Sequence, residues 1–316
     1  MSIVALAGGV GGAKLAHGLQ QVLPPGDLTV IVNTGDDLEL HGLAVMPDHD
    51  TVVYTLAGLA DPIQGWGLAG ETYAAAGMLE RYGQPTWFRL GDRDLATHVV
   101  RTARRRAGER LTTVCLGLQA ALGLAGPVLP MSDDPIRTRV LTDEGWLDFQ
   151  DYFVRLHQAP EVHEVRFEGA ASASASPEVL AALGAAEAIV IAPSNPIVSI
   201  EPILAVPGIR AALAGARQRG VPVAAVSPIV GGRALKGPAD RMLRSLGSEA
   251  TALGVARRYI GLADAFVIDE VDRELGPSIA ALGLRVLVTG TVMSDDADRA
   301  RLARATMEFA ARQRSE

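Results

Sequence analysis

Several short stretches of this chain hold the residue types that handle phosphate and divalent metal. Gly8-Gly9-Val10-Gly11-Gly12 follows an apolar run and leads into residues of helical composition. A glycine turn there aims backbone N–H groups and the positive end of a helix dipole at one point, which suits a phosphate. Lys14 adds a compact point charge beside it. The stretch is not a Walker A loop, because Ala13 stands at the second glycine and Leu15 at the Ser/Thr position. Nor is it a dinucleotide fingerprint, since Lys14 occupies the third glycine position. A tight turn that only packs helix against strand is the plainer alternative.

Two acidic corners follow, Asn33-Thr34-Gly35-Asp36-Asp37 and Pro47-Asp48-His49-Asp50-Thr51. Carboxylates beside a phosphate site hold Mg²⁺ or orient an attacking hydroxyl. Asp36 and Asp37 could equally cap a helix. In Leu90-Gly91-Asp92-Arg93-Asp94, Arg93 can grip a phosphate or carboxylate with two N–H groups, or pair with its aspartate neighbours. Met131-Ser132-Asp133-Asp134-Pro135 is a polar loop or a helix cap. Pro193-Ser194-Asn195-Pro196 sets hydroxyl and amide side chains between two prolines that stiffen the loop. Residues 227–238 form a second rigid loop, in which Lys236 meets a phosphate or the whole is plain turn chemistry. The six histidines lack zinc spacing, and no GxSxG elbow is present.

These groups need a scaffold that brings them together. Residues 3–7 are apolar without alternation, as in a strand covered on both faces. With a helix at 13–22 and a second strand at 28–32 they make a βαβ unit, hence a parallel sheet with a right-handed crossover. Further strands are expected at 188–192, 221–226, 265–268 and 285–288, with helices at 177–184 and 209–219 between them. Each strand stops at a polar or glycine corner, where open parallel sheets bind ligands. Residues near 50–150 mix helices (71–82 and 95–107) with polar loops, and 139–142, 147–154 and 162–167 resemble antiparallel strands. The expected fold is α/β, a parallel core carrying an inserted helical and mixed cap.

Bulk properties narrow the partners. A chain of 316 residues fits one such domain with an insertion. Its 36 acidic and 29 basic residues give a charge of −7, which disfavours sequence-independent binding to nucleic acid. Arg104, Arg105 and Arg106 read as a solvated helix face. The single cysteine, Cys115, excludes an intrachain disulfide and sits in an apolar stretch as a buried thiol. No basic leader precedes the first strand, and no apolar run reaches the ~18 residues of a membrane span. A cytoplasmic protein with no membrane partner is expected.

The ordered motifs resemble the 2-phospho-L-lactate transferase family. They are Ala7-Gly8-Gly9-Val10-Gly11-Gly12-Ala13-Lys14, Asn33-Thr34-Gly35-Asp36-Asp37, Pro47-Asp48-His49-Asp50-Thr51-Val52-Val53-Tyr54, Leu90-Gly91-Asp92-Arg93-Asp94, Met131-Ser132-Asp133-Asp134, Phe149-Gln150, Pro193-Ser194-Asn195-Pro196 and Ser227-Pro228-Ile229. The resemblance spans essentially the whole chain. It implies a Rossmann-like core from residues 1–46 and 169–316, a cap at 47–168 that helps form the acceptor site, Mg²⁺ dependence and homodimers. It also implies the reaction. The ribityl hydroxyl of 7,8-didemethyl-8-hydroxy-5-deazariboflavin attacks a guanosine diphospho-conjugate of a three-carbon acid, releasing GMP in coenzyme F420 biosynthesis.

In family terms Asp50 and Arg93 match the deazaflavin contacts; for a phosphoryl transfer, Asp50 is then expected to bind the attacking hydroxyl and accept its proton. Gly8, Gly9, Gly11, Gly12, Lys14, Ser194 and Asn195 fall on the donor's phosphate and guanosine side, and Asp36 or Asp37 is expected to help hold the metal. The acid is lactyl, enolpyruvyl or glyceryl, with a lean to enolpyruvyl. The rival is a related family of UDP-sugar-binding regulators (gluconeogenesis factors) that shares the fold and glycine turn. A weaker rival, an NAD-dependent oxidoreductase, is disfavoured by Lys14.

Overall fold

All five residues of the strand Ile3–Ala7 are fully buried, and they feed two cores in alternation. Val4 and Leu6 join Ile31, Ile189 and Ile191 on one face of the sheet. Ile3, Ala5 and Ala7 join Val30, Val32 and Val190 on the other. Side chains of a strand point to opposite faces in turn, so a run without polar positions needs cover on both sides. The computed structural model, which describes residues 1–312, supplies it. Helices Gly9–Val22, Pro47–Leu56 and Asp296–Ala311 close one face. Helices Pro177–Ala185, Ile209–Gln218 and Ala252–Arg258 close the other, together with a three-stranded antiparallel sheet of Gly145–Asp148, Arg137–Thr142 and Glu164–Glu168.

The central sheet has seven parallel strands. Their order is Arg285–Val288, Ala265–Ile268, Val223–Val226, Ala188–Ile191, Ile3–Ala7, Leu28–Val32 and Val128–Pro130. From the first strand the chain moves outward on one side, then returns to lay Ala188–Ile191 on the other. That reversal opens a crevice over Ala7 and Ile191, the position where open α/β sheets take their ligands. The expected α/β fold with a parallel core is the fold observed.

Three expectations change. The glycine run is a turn only at Gly8, because the first helix already begins at Gly9. Residues 147–154 are not one strand: Gly145–Asp148 is a strand, and Asp151–Arg155 forms a π-helical turn. The cap boundary also moves. The edge strand Val128–Pro130 and the helix Pro47–Leu56 come from inside 47–168 yet belong to the core. Val128–Pro130 is only three residues long and carries a proline, so it gave no strand signal by pattern. Cys115 is fully buried in the helix Leu111–Ala121, as expected. Among the described residues no single helix is long and apolar enough to cross a membrane.

Candidate active site

A cavity of about 690 Å³ lies over the sheet's reversal point. Its floor is the glycine turn, with Gly8, Gly9, Gly11 and Lys14 in the wall. Gly9 has φ +62°, a left-handed conformation that side chains resist. Gly11 packs so closely on the Pro193 carbonyl that an added Cβ would lie 2.3 Å from its oxygen. The Ser194 hydroxyl ties the two strand ends together, accepting from Gly8 N–H at 3.0 Å and donating to the Gly8 carbonyl at 2.8 Å. Asn195 caps the π-helical turn Pro196–Ile200, its Oδ1 accepting from Ile197 N–H at 2.9 Å. Lys14 donates to the Met293 carbonyl at 2.7 Å, and Lys236 to the Gln64 carbonyl at 2.6 Å. Burial, with Arg299 and Lys236 nearby, lowers the Lys14 pKa. The cavity is also lined by the apolar side chains of Trp66, Phe88, Phe149, Phe153 and Val154. Phe149 and Phe153 stack with centroids 5.5 Å apart.

Two carboxylates meet beside the glycine turn. Asp48, in the first turn of Pro47–Leu56, accepts from Asn33 Nδ2 at 3.0 Å and from the Gly9 N–H. Burial pushes its pKa up to about 6, against those two hydrogen bonds. Asp36 is buried as well, and its pKa is raised by burial and by the charge of Asp48. Asp36 Oδ1 has no hydrogen-bond partner. Among the described residues neither carboxylate forms an ion pair, and both line the cavity. Oxygen donors of this kind suit a hard divalent ion.

A second group sits higher on the same wall. Arg101, from the middle of the helix Asp92–Arg106, has no exposed surface and clasps Asp50 with both terminal nitrogens, NH1 to Oδ2 at 3.0 Å and NH2 to Oδ1. Burial alone would raise the Asp50 pKa. Arg101, His49 and His98 overrule it and hold the carboxyl below the usual carboxylate range. Around the pair, Tyr54 donates to Asp94 Oδ1 at 2.7 Å, and His98 Nε2 lies 3.3 Å from Asp94 Oδ2. Ligand atoms of Asp50, Asp94 and His98 fall within 4.8 Å of one another. Arg101 already supplies positive charge there, so the arrangement is better suited to an ion-pair network than to magnesium.

Comparisons with known proteins place this geometry. The family model described as 2-phospho-L-lactate transferase CofD matches residues 3–281. A phosphoenolpyruvate transferase of Streptomyces griseus is 46% identical over 316 residues, covering 98% of each chain. One from Mycobacterium avium is 40% identical over 341 residues, covering 98% of this chain and 99% of its own. This chain belongs to the CofD family. It is a transferase of the phospholactate and phosphoenolpyruvate kind. A crystal structure of a UPF0052 family protein from Bacillus halodurans has the same fold, with TM-score 0.62, 15% identity, and 97% of this chain and 98% of that one covered.

Within this CofD fold the expected site residues separate. Gly8, Gly9, Gly11, Lys14, Ser194, Asn195, Asp36 and Asp50 all line one cavity. Gly12 lies behind it, toward Ser194 and Ala7. Arg93 is exposed outside the cavity and donates to the Ala69 carbonyl at 2.6 Å, while Arg89 lines the wall instead. Asp37 does not line it either; the positive charges of Arg137 and Arg101 act on its carboxyl. Asp48, Tyr54 and Asp94 fell within the quoted motifs without a role of their own, and Arg101 was not singled out by the sequence. Asp48 and Asp50 stand at i and i+2 of one helix, but their partners come from residues 33 and 101. The spacing Asp94-x-x-x-His98, one helical turn, is a further signal in the sequence that could have paired those two residues.

Proposed function

We propose that this CofD-family transferase moves a phosphoenolpyruvyl group from a guanosine diphospho-conjugate to the ribityl hydroxyl of 7,8-didemethyl-8-hydroxy-5-deazariboflavin, releasing GMP in coenzyme F420 biosynthesis. The observation that carries it is one cavity lined both by the glycine turn with Lys14 and Lys236 and by several aromatic side chains. Its volume falls in the range of small-molecule sites. The glycine turn, Lys14 and Lys236 offer N–H groups and charge to the diphosphate. Phe149, Phe153, Phe88 and Trp66 offer flat apolar surface to the deazaflavin ring. The enolpyruvyl acid follows the names of the relatives at 40–46% identity.

Asp36 and Asp48 would hold Mg²⁺, which when bound neutralises charge on the transferring phosphate. Asp36 keeps its expected role, and Asp48 replaces Asp37. Asp50, fixed by Arg101, orients the acceptor's ribityl chain. In-line transfer then depends on holding hydroxyl and phosphorus within reach and on matching charge. Homodimers and a cytoplasmic setting belong to the same reading.

The test mixes the protein with Mg²⁺, the deazaflavin alcohol and each of the lactyl, enolpyruvyl and glyceryl donors, and follows products by mass spectrometry. A deazaflavin phosphodiester with GMP, formed fastest from the enolpyruvyl donor, is expected. No product from any donor, with a UDP-sugar raising the melting temperature, would replace this reading with a regulatory one.

A further inference from the structure

Four carboxylates line the cavity, Asp36, Asp48, Asp50 and Asp94, and the structure gives them different partners. Asp36 and Asp48 sit together at the glycine turn, where a divalent ion is needed. Asp50 has both oxygens engaged by Arg101, and its side chain is only 8% exposed. A carboxylate clasped this way is a poor destination for a proton. Among the described residues Asp94 has no arginine or lysine bonded to it. Tyr54 donates to its Oδ1 at 2.7 Å, Glu71 accepts its backbone N–H at 2.7 Å, and its side chain is 17% exposed to the cavity.

His98 completes the arrangement. Arg101 NH1 faces His98 Nδ1 at 3.3 Å, and a guanidinium has no lone pair to offer. Nδ1 is therefore the acceptor nitrogen, and the ring proton sits on Nε2, 3.3 Å from Asp94 Oδ2. His98 cannot take a substrate proton in this tautomer, because one nitrogen is occupied by Arg101 and the other already carries hydrogen. Its Nε2 is buried, lines the cavity wall and has no well-aligned hydrogen bond, so its N–H is available to Asp94.

Resting on the transferase reading above, we propose that Asp94 is the proton acceptor of the transfer, held by Tyr54 beside the His98 ring, while Arg101 confines Asp50 to positioning. The acceptor's hydroxyl oxygen bonds to the phosphorus that bears the acid, and its proton passes to an Asp94 oxygen. The anhydride P–O bond breaks, and its electron pair leaves with GMP. Asp94 then returns the proton to water.

The experiment uses the full chain with Mg²⁺, donor and deazaflavin alcohol, reading turnover by mass spectrometry and acceptor binding by deazaflavin fluorescence. Asp94→Asn keeps the shape and an acceptor for Tyr54 but removes the base. Turnover should fall by roughly 10²- to 10⁴-fold with acceptor affinity retained. Tyr54→Phe keeps the buried ring and should lower kcat about tenfold with the acceptor's KM unchanged, the effect of one lost hydrogen bond. Unchanged turnover in Asp94→Asn, or acceptor affinity lost in proportion to turnover, overturns the assignment. If the unsubstituted protein makes no phosphodiester from any donor, the transferase reading falls and this one with it. Fluorescence titration on that protein tells the two failures apart.

Discussion

Arg101 and Asp50 form a buried charge pair, so each is costly to leave alone. Removing one partner of such a pair strands a buried charge at about 3–5 kcal/mol. Arg101→Ala should lose that much stability in urea melts, whereas Asp50→Asn with Arg101→Met should lose clearly less than the two single changes summed. Additive losses in that cycle would show the pair to be uncoupled. Asp48 poses the opposite case, a carboxylate buried beside another and, among the described residues, without an ion pair. Its folded pKa of about 6 exceeds the ordinary 3.8. Without metal, the folded state therefore binds the proton more tightly than the unfolded chain. The associated stability is fully present below about pH 4 and is lost as pH rises through 6, by on the order of 3 kcal/mol. Denaturation in EDTA across that range measures it, and Asp48→Asn should flatten the slope. A slope unchanged in Asp48→Asn would assign the effect elsewhere.

At the scale of elements, the site depends on how two strand ends and one helix start are fastened. The Ile3–Ala7 and Ala188–Ile191 strands run in parallel register, and Ser194 bonds back to Gly8 just beyond their ends. The helix Gly9–Val22 is drawn against Pro193 tightly enough that a methyl group at residue 11 has no room. Its obstacle is a backbone carbonyl, which cannot rotate away. Gly11→Ala should therefore cost about 1–3 kcal/mol of overpacking and abolish donor binding. Melting and donor titration of the variant check both halves, and a fully stable Gly11→Ala that still binds donor would show that the turn has slack. The Pro47–Leu56 helix matters in the same way. One helix delivers Asp48 to Asn33 beside the glycine turn, Asp50 to Arg101 and Tyr54 to Asp94, so the two halves of the wall cannot shift independently.

For the whole molecule, the consequence is that core and cap are not separable. Joining residue 46 to residue 169 would delete the edge strand Val128–Pro130 and the helix Pro47–Leu56, baring Ile31, Val30 and Leu19. Such a deletion should show no cooperative melting, and a cooperative transition would restore the simple two-part division. The sequence by itself determined the parallel strands 3–7, 28–32, 265–268 and 285–288, the glycine turn with Lys14, and the acidic corners. These are local signals: unbroken apolar runs need two covered faces, and glycine with polar residues gathers where strands end. Only the tertiary structure decided which carboxylates work together. Asp36 meets Asp48 rather than Asp37, Asp50 is taken by Arg101 from 51 residues away, and Arg93 turns outward while Asp94 faces in. Partners of that kind come from chain segments brought together by packing, and a charged residue looks the same in sequence whether it lines a cavity, fastens a helix or faces water.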